Sequence, residues 1–560
     1  MRPKGRGPRE SLYFDYPVFD AKPAPELSGQ SRPHPVVIVG AGPIGMTAAL
    51  TLARYGVRSV LLDAKNTFND GSRAICIARQ SFQILDRLDA VAPFLDKSLG
   101  WTRGRSFYRG REIYTFEMPH GAHEKYMPMY NLEQQYIEQF LHAAVAQSAL
   151  IELRWESAVT DMEARADGVT LDVASPQGAY RLAADYVLAA DGARSTIRGR
   201  LGLRLAGENY EGRYVIADVQ MDHDYPTERR AFFEPASNPG GTVLVHKQPD
   251  RIWRVDYQLK DGENEELAMR EETIRARVGA ILADIGHHGD WALEWWSVYS
   301  ANTLCLDDYR HGRVIFVGDS AHIVPIFGVR GLNNGFADAQ NIGWKLAYLL
   351  NGEAGEPLLD SYSPERRGAT LDVFANATKS TRFMTPPTRG WTLVREAVLS
   401  LALSQDFARA FADPRQMAPY TYADSPLTPF AERDRAFAGG PASGAAATSV
   451  RLAEGGFLLD LAGDGFTALV FADGPVNAAM ADCLAALACL DRRFKAVIIA
   501  PDGQGGTIAD PDGAVAARYD ARPGTVYLLR PDLHVAGRWR HAVPAEIIAT
   551  LSACLGRTAP

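Results

Sequence analysis

Three glycines near the amino end have the spacing of a phosphate-binding site. Gly40, Gly42 and Gly45 form GxGxxG within the segment GAGPIG. The first glycine permits a tight turn, the second lets backbone N–H groups approach a pyrophosphate, and the third lets a helix pack closely on a strand. Asp63 follows about twenty residues later, where an acidic side chain accepts hydrogen bonds from a ribose. The four residues predict a dinucleotide site and leave NAD, NADP and FAD open.

A second candidate region lies far along the chain, from Gly318 to Gly335, and reads GDSAHIVPIFGVRGLNNG. It holds four glycines, one proline (Pro325) and one arginine (Arg330), and it begins with an aspartate (Asp319) directly after an apolar run. This glycine content is too high for a buried helix and is typical of backbone that must approach a ligand closely. The segment is therefore predicted to be a loop against a bound molecule.

Regular elements must position both regions. An apolar run at 35–40, helical spacing at 46–56 and a second apolar run at 58–63 predict a strand, a helix and a strand. Such a βαβ unit implies a parallel sheet. RVIFVGD at 313–319 predicts another buried strand, and 336–352 predicts an amphipathic helix that ends at a glycine. Both regions are thus expected in one discontinuous domain.

The rest of the chain is divided by differences in hydrophobic pattern and composition. Alternation of period two, as in RIWRVDYQL, predicts antiparallel strands, and the Ala/Gly/Ser-rich segment AGGPASGAAATS predicts a flexible linker. The predicted parts are an N-terminal extended tail at 1–34, a dinucleotide-binding domain at 35–204 and 301–385, a sheet domain at 205–300, a helical connection at 386–437, the linker at 438–449 and a last α/β domain at 450–560.

Composition limits the classes of function. The chain has 560 residues, which suggests several domains, and a net charge of −8. No long Lys/Arg run is present, so a nucleic-acid partner is not expected. The five cysteines form no CxxC pair and no zinc-type Cys/His spacing, so no metal site is predicted. No signal-peptide pattern and no run of eighteen apolar residues occurs, which predicts a cytoplasmic protein without a membrane partner.

Several segments resemble the motifs of one family. AADGARSTIR at 189–198 resembles the DG motif of the single-component flavoprotein aromatic hydroxylases, and the Gly318 to Gly335 segment resembles their GD motif and flavin-contacting loop. GSRAICIARQSFQIL at 71–85 is similar to the segment after their second strand. Within this family the chain resembles the 3-(3-hydroxyphenyl)propionate hydroxylase-like proteins, and 522–539 fits the end of their thioredoxin-like domain.

The resemblance implies a fold. It is an α/β architecture in which a Rossmann-type FAD-binding domain carries an inserted antiparallel-sheet substrate domain and is followed by a C-terminal thioredoxin-like α/β domain. Because CxxC is absent, the last domain is predicted to be structural or to mediate oligomerisation, and not to be a redox catalyst. A homodimer is a further hypothesis.

The resemblance also implies FAD as the cofactor and NAD(P)H as the co-substrate. The glycines would face the pyrophosphate, Asp63 the adenosine ribose, where the family more often has Glu, and Arg73 the phosphates. Gln134 matches the glutamine near the ribityl chain, although Gln135 fits a shift by one. Asp191 would link the FAD and NAD(P)H regions, and Asp319 would hold the ribityl hydroxyls. The implied cofactor-binding residues are Gly40, Gly42, Gly45, Asp63, Arg73, Gln134, Asp191, Gly318, Asp319, Gly328, Gly331 and Asn333.

The implied reaction is hydroxylation of a small phenol by a C4a-hydroperoxyflavin that forms from NAD(P)H-reduced FAD and O2. Lowering a phenol pKa by ~3 units needs roughly 4 kcal/mol of anion stabilisation, and a fixed cation supplies this. Arg330 is the candidate cation, although it would equally stabilise reduced flavin or the peroxide, or form a salt bridge. Pro325 is predicted to shape the oxygen pocket, and His322 to be structural.

The substrate site is the least determined part of the sequence. Trp253 and Tyr257 share one face of a predicted strand and are candidates, with a core role as the alternative. His246 or Arg254 is a candidate anchor for a carboxylate. Other flavoprotein chemistry, such as epoxidation, remains an alternative, but the WxWxIP motif of flavin-dependent halogenases is absent. An alternative of another class is a non-catalytic thioredoxin-like adaptor with a degenerate flavin domain.

Overall fold

A computed structural model describes residues 10–30, 32–325, 329–409, 411, 419–428, 431–503 and 506–557. This part of the chain forms four sheets. The strands are β1 (His34–Val39), β2 (Ser59–Leu62), β3 (Cys76–Ala78), β4 (Leu99–Trp101), β5 (Arg103–Tyr108), β6 (Arg111–Glu117), β7 (Met129–Asn131), β8 (Ile151–Arg154), β9 (Ala158–Ala164), β10 (Val169–Ser175), β11 (Gly178–Ala189), β12 (Ala206–Met221), β13 (Arg229–Phe233), β14 (Thr242–Lys247), β15 (Ile252–Gln258), β16 (Trp291–Cys305), β17 (Arg310–His311), β18 (Val314–Phe316), β19 (His322–Ile323), β20 (Thr467–Phe471), β21 (Lys495–Ala500), β22 (Ile508–Ala509), β23 (Val526–Leu529) and β24 (Val535–Trp539).

The α-helices pack on these sheets. They are α1 (Pro43–Arg54), α2 (Arg79–Arg87), α3 (Ala92–Lys97), α4 (Gln134–Ala146), α5 (Thr196–Arg200), α6 (Glu265–Ala268), α7 (Glu271–Asp284), α8 (Gly331–Leu350), α9 (Pro357–Asp360), α10 (Tyr362–Met384), α11 (Arg389–Ala402), α12 (Asp406–Arg409), α13 (Ala478–Leu490), α14 (Ala514–Arg518) and α15 (Pro544–Cys554). No described helix has the length and apolar character needed to cross a membrane.

The first sheet contains the predicted βαβ unit. Its strand order is β17-β18-β11-β1-β2-β8, and the strands from β18 to β8 are parallel. Val39 of β1 lies level with Leu62 of β2 and with Ala189 of β11, and Ala189 lies level with Phe316 of β18. The glycine turn, Asp63, the DG motif and the GD motif therefore leave the sheet at one edge. Ligands of open α/β sheets bind at this kind of edge.

The second sheet is mainly antiparallel, with the order β19-β16-β12-β15-β14-β13-β5-β6. Helix α7 covers one face, and its apolar side chains share a core with residues of the central strands, such as Val215 of β12 and Val255 of β15. The sheet is larger than the predicted 205–300 domain, because the hairpin of β5 and β6 pairs with β13 through parallel hydrogen bonds. That hairpin was expected within the FAD-binding domain.

The last domain has the thioredoxin-like arrangement. Its strand order is β22-β21-β20-β23-β24, in which β20 is parallel to β21 and antiparallel to β23, and β23 is antiparallel to β24. Leu487 of α13 and Leu551 of α15 belong to the same apolar core as Ile38 of β1. The domain is therefore packed firmly against the FAD-binding domain. The Rossmann-type, antiparallel-sheet and thioredoxin-like fold class expected from the sequence is confirmed.

The predicted flexible linker at 438–449 is an ordered segment, which corrects the expectation. Gly444 donates its N–H to Val535 and accepts from Tyr422, and Ala447 donates to Leu533. A Cβ at Gly444 would stand 2.5 Å from the backbone of Tyr422. The glycine therefore serves close backbone packing and not flexibility.

The described part of the N-terminal tail crosses the FAD-binding and substrate domains. Phe19 stacks on Trp155 with ring centres 4.6 Å apart. The N–H of Leu12 donates to the carboxylate of Glu294 in β16 at 2.7 Å. The Tyr13 hydroxyl accepts from the amide of Gln135 at the start of α4. The tail thus contacts both domains.

Candidate active site

The glycine turn after β1 is built by close backbone contacts. Gly40 has φ +108°, and a Cβ there would stand 2.3 Å from the carbonyl of Ala190. A Cβ at Gly45 would stand 1.9 Å from the carbonyl of Gly40. At Gly42, which caps α1, a Cβ would meet no atom within 4 Å. The outer two glycines thus serve packing, and the middle one leaves the helix N-terminus open to an anion.

Asp63 lies beside this turn, where the sequence predicted it. Its Oδ2 accepts the N–H of Ala41 at 2.9 Å, and its Oδ1 accepts the N–H of Lys65 at 2.9 Å. Each carboxylate oxygen can accept a further hydrogen bond. The carboxylate therefore fixes the turn, and its contact with a ribose stays a prediction.

The DG motif adjoins the glycine turn. A Cβ at Gly40 would stand 3.0 Å from the backbone nitrogen of Asp191, so the two motifs touch. The Oδ2 of Asp191 accepts the N–H of Ile197 at 3.1 Å, and Oδ1 has no hydrogen-bond partner among the described residues. Burial raises the pKa of Asp191, although hydrogen bonds from Ser195 and the backbone oppose the shift.

The GD motif lies at the same edge, although it is distant from the glycine turn in the sequence. Gly318 has φ +60° and lies against Ile44 of α1, 3.2 Å from a Cβ built at the glycine. Asp319 keeps an exposed side chain. Desolvation by the surrounding protein raises its pKa, while His322 and Arg73 oppose the shift. Asp319 is open to solvent and is also surrounded by protein, as is typical of a residue that lines a cleft. Arg73 is close enough for its charge to lower the pKa of this carboxyl group.

Arg73 is exposed, and the backbone around it is hydrogen-bonded to the substrate sheet. Its guanidinium is 58% exposed and lies 3.3 Å from Asp70. Arg254 of β15 donates to the carbonyls of Ser72 and Arg73. The carboxylate of Asp218 in β12 accepts from the N–H of Ser72 at 3.1 Å and from its hydroxyl at 2.5 Å. No sequence pattern indicates these contacts, because the two segments are distant in the chain.

The loop before α8 contains the predicted catalytic residues. Pro325 is buried, and Gly328 lies outside the described residues. Arg330 immediately precedes α8 and is 5% exposed. Burial lowers the pKa of Arg330, and the charge of Asp372 opposes the shift. Val329 adopts φ +61°, which is strained for a β-branched residue and is common at functional sites.

The first residues of α8 and α4 include three further predicted contacts. Gly331 begins α8, and the Asn333 side chain is used by the protein, since it donates to Cys76 and Val329 and accepts from Ala78. Only its backbone is available to a cofactor. Gln134 donates to Glu138 at 2.8 Å. Gln135 is buried, so the two glutamines have different surroundings.

A buried network stands behind the GD motif. The N–H of Gly318 donates to Asp338 Oδ2 at 3.0 Å, and His322 Nε2 lies 2.7 Å from the same oxygen. Arg366 Nε donates to Asp338 Oδ1 at 2.6 Å. Burial would raise the pKa of Asp338, but Arg366 and His322 hold it below its ordinary value. Asp338 and Arg366 were missed in the sequence; a charged residue on the buried face of a helix was the available signal.

The two faces of the substrate sheet differ. Trp253 and Tyr257 lie in the apolar core beneath α7, away from Arg73. His246 lies on the opposite face, paired across the sheet with Arg229 and Arg254. Burial and these two arginines hold the pKa of His246 well below its ordinary value, so its imidazole is neutral at pH 7.

The residues at the cofactor edge fit FAD. The open helix N-terminus at Gly42 suits a pyrophosphate, and Asp63 and Asp319 present acceptors for hydroxyl groups at the same edge. The described cysteines are free, and the described residues contain no cluster of three His, Cys, Asp or Glu side chains suited to a metal.

Comparison with known proteins agrees with this geometry. The sequence profile described as "FAD binding domain" matches residues 34–377. The 3-(3-hydroxy-phenyl)propionate/3-hydroxycinnamic acid hydroxylase of Mycobacterium sp. (strain JLS) is 27% identical over 90% of this chain and 88% of the relative. The 6-methylpretetramide 4-monooxygenase of Streptomyces rimosus is 28% identical over 94% of each chain.

A solved structure shares the fold across the domains. The flavin-dependent monooxygenase PieE, in complex with FAD and substrate, superposes with a TM-score of 0.78, covers 94% of this chain and 99% of its own, and is 24% identical. The family profile spans more than half of the chain. The chain therefore belongs to the FAD binding domain family and is an FAD-dependent monooxygenase.

Proposed function

We propose that this protein hydroxylates the aromatic ring of a small phenol, with NAD(P)H as the reductant and O2 as the oxidant. The observation that carries the proposal is the convergence of the glycine turn, Asp191 and Asp319 at one sheet edge, with Arg73 acting on Asp319. The phenol, O2, NAD(P)H and a proton give a diphenol, water and NAD(P)+. Bound FAD supplies the redox chemistry by accepting the hydride and activating O2.

The cleft residues have proposed roles in binding and orientation. The N–H groups at the start of α1 bind the pyrophosphate, and Asp319 accepts hydrogen bonds from the ribityl hydroxyls. Arg73 neutralises phosphate charge. Pro325 has a fixed φ and no N–H, so it forms a wall that offers water no donor. Gln134 and Asp191 contact the ribityl chain and the region between FAD and NAD(P)H, respectively.

Arg330 is the proposed source of positive charge beside the reacting ring. A cation about 4 Å from an anion is worth about 4 kcal/mol at an effective dielectric of about 20. This equals the free energy needed to ionise a phenol near pH 7. The burial of Arg330 supports the proposal, because the field of a buried charge is screened less than that of an exposed one.

The polar face of the substrate sheet is the proposed source of substrate recognition. His246 is 5% exposed and Gln248 is 1% exposed. The His246 Nδ1 and both amide atoms of Gln248 lack a hydrogen-bond partner within the described part of the chain. Buried polar atoms of this kind are satisfied by a ligand or by water. Trp253 and Tyr257 are not proposed to bind the substrate, because they pack in the apolar core on the other face of the sheet.

A larger polycyclic phenol is a second candidate substrate. The relative from Streptomyces rimosus, named for action on 6-methylpretetramide, matches as much of this chain as the 3-(3-hydroxy-phenyl)propionate hydroxylases do, at nearly the same identity. Both substrate classes are compatible with the same cofactor edge, so the substrate sheet must distinguish them.

A substrate panel tests the proposal. The FAD-loaded enzyme is given NADH or NADPH with 3-(3-hydroxyphenyl)propionate, other one-ring phenols, or tetracyclic phenols, and products are identified by mass. We expect a one-ring phenol both to accelerate NAD(P)H oxidation and to gain one oxygen. Gain of oxygen by tetracyclic phenols alone would establish the second candidate. If no phenol gains oxygen, the proposal is wrong.

A homodimer and a cytoplasmic location stay hypotheses. Light scattering of the purified protein tests the first, and fractionation of the producing cells tests the second.

A further inference from the structure

Helix α8, which follows the GD motif in the chain, buries a polar stripe. Asn334, Asp338, Asn341 and Lys345 recur at intervals of four, three and four residues, so they lie on one face of α8. None of the four is more than 2% exposed. Burying four polar side chains costs free energy unless each has a partner, so the contacts of the stripe must serve a purpose beyond apolar packing.

Helix α10 and the C-terminal domain together supply the partners of the second half of the stripe. Lys345 Nζ lies 2.7 Å from Glu365 in α10. Arg530, which follows β23, donates to both oxygens of Glu365 at 2.6 and 2.9 Å. Arg530 also donates to Asp532, which accepts from Asn341 at 3.3 Å. The side chains of Arg530, Glu365 and Lys345 are wholly shielded from solvent.

The first half of the stripe holds the GD motif, and Tyr422 joins the two halves. Arg366 binds Asp338, which binds the N–H of Gly318, and Arg366 Nη1 donates to the Tyr422 hydroxyl at 2.8 Å. The Tyr422 ring centre lies 5.1 Å from the Arg530 guanidinium. A continuous set of buried contacts therefore runs from the C-terminal domain to the backbone beside Asp319.

We infer that the thioredoxin-like domain positions the GD motif, Gly318 and Asp319, and that Arg530 and Tyr422 are the positioning residues through which it acts. Removing one member of a buried charge cluster leaves an unbalanced charge, so the cluster fixes one docking geometry. That geometry sets where Gly318 and Asp319 stand relative to the glycine turn. The β23–β24 hairpin carries this role through Arg530 and Asp532, so the role does not require a CxxC thiol pair.

The experiment uses the full chain with FAD added to the apoprotein. Tyr422→Phe removes only a hydroxyl, and Arg530→Met removes the charge. The control is Asp464→Asn, which breaks the part-exposed pair of Asp464 with Arg54 between the same two domains. The measurements are the FAD dissociation constant from flavin fluorescence, the absorption spectrum of bound flavin, and the thermal unfolding of the apoprotein.

We expect FAD to bind at least about tenfold more weakly to Arg530→Met and about threefold more weakly to Tyr422→Phe, with a shifted flavin spectrum in both. Asp464→Asn should stay within about twofold of the parent. If Arg530→Met does not fold, the FAD affinity and flavin spectrum of Tyr422→Phe alone test the inference. A Tyr422→Phe protein with parental FAD affinity and spectrum overturns the inference. So does an equal loss of affinity in the control. These outcomes do not depend on which substrate is hydroxylated.

Discussion

The glycine turn after β1 and the loop before α8 border the same cleft but are held by different interactions. The turn depends on backbone contacts that exclude a Cβ at Gly40 and Gly45. The loop depends on buried charges, above all the contacts of Asp338 with Gly318 and Arg366. The first arrangement excludes added volume where Gly40 meets Ala190, and the second balances charge where Asp338 joins Gly318 to Arg366.

The difference matters because the two arrangements respond differently to change. Adding volume to a closely packed site lowers the free energy of unfolding by about 1–3 kcal/mol. Removing one partner of a buried charge pair lowers it by about 3–5 kcal/mol, because the other charge stays buried without compensation. The loop side is therefore the more sensitive of the two to loss of a single polar atom.

Asp338→Asn tests the loop side and should have the largest effect. The substitution keeps the size of the side chain but leaves Arg366 buried without its carboxylate. We expect the free energy of unfolding to fall by about 3–5 kcal/mol, measured by denaturant titration of the apoprotein. Asp464→Asn, in a part-exposed pair, should change it by less than about 1 kcal/mol. Equal effects of the two substitutions would contradict the importance of the buried network.

Arg330→Gln tests the same side for chemistry instead of stability. We expect FAD to remain bound, and the yield of hydroxylated product per NAD(P)H to fall several-fold, with the balance released as hydrogen peroxide. The reason is the loss of up to about 4 kcal/mol of anion stabilisation. Arg330→Lys keeps the charge and should recover part of the yield. Unchanged coupling in Arg330→Gln would remove this residue from the mechanism.

Gly45→Ala and Gly42→Ala form a matched pair on the turn side. At Gly45 the new Cβ would stand 1.9 Å from a carbonyl oxygen, so the apoprotein should lose about 1–3 kcal/mol of stability. At Gly42 the Cβ meets no atom within 4 Å, so stability should hold while FAD affinity falls. Thermal unfolding of the apoprotein and FAD titration separate the two effects. Loss of apoprotein stability in Gly42→Ala would be inconsistent with a site open for the pyrophosphate.

Asp218→Asn probes a buried carboxyl group in the substrate sheet through the pH dependence of stability. Burial raises the pKa of Asp218 from its ordinary value to about 7. The folded protein therefore holds a proton that the unfolded chain releases above about pH 4. The resulting stability is present below about pH 4 and is lost as pH rises to about 7.

The measurement is the slope of unfolding free energy against pH between about 4 and 7. In Asp218→Asn the decrease of the unfolding free energy with rising pH should be shallower than in the parent by up to about 1.4 kcal/mol per pH unit. Asp464→Asn is the control for loss of an exposed aspartate. A slope identical to that of the parent would show that Asp218 is ionised throughout this range.

The parts that sequence reasoning could predict are those whose cause is local. The strand, turn and helix around Gly40 follow from composition within about thirty residues, and parallel pairing then brings Asp191 to the same edge. The contacts of Asp338 could not be predicted, because its partner Arg366 lies in another helix. The glycine-rich segment at 438–449 was misread as flexible, because composition does not distinguish a glycine needed for mobility from one needed for close packing.

The substrate sheet shows the same limit. Period-two alternation separated Trp253 from Arg254 correctly, but it did not indicate which face meets the cofactor domain. That choice depends on α7, which covers the face of Trp253. It also depends on Ser72, which receives Arg254 on the other face.

Oxygen-isotope transfer tests the central claim most directly. The FAD-loaded enzyme turns over the active phenol under oxygen-18 gas in ordinary water, and the product is analysed by mass spectrometry. Incorporation of one labelled oxygen atom per molecule of product is the predicted result. A product that carries only unlabelled oxygen, or NAD(P)H consumption without an oxygenated product for any phenol, would contradict the assignment as an aromatic hydroxylase.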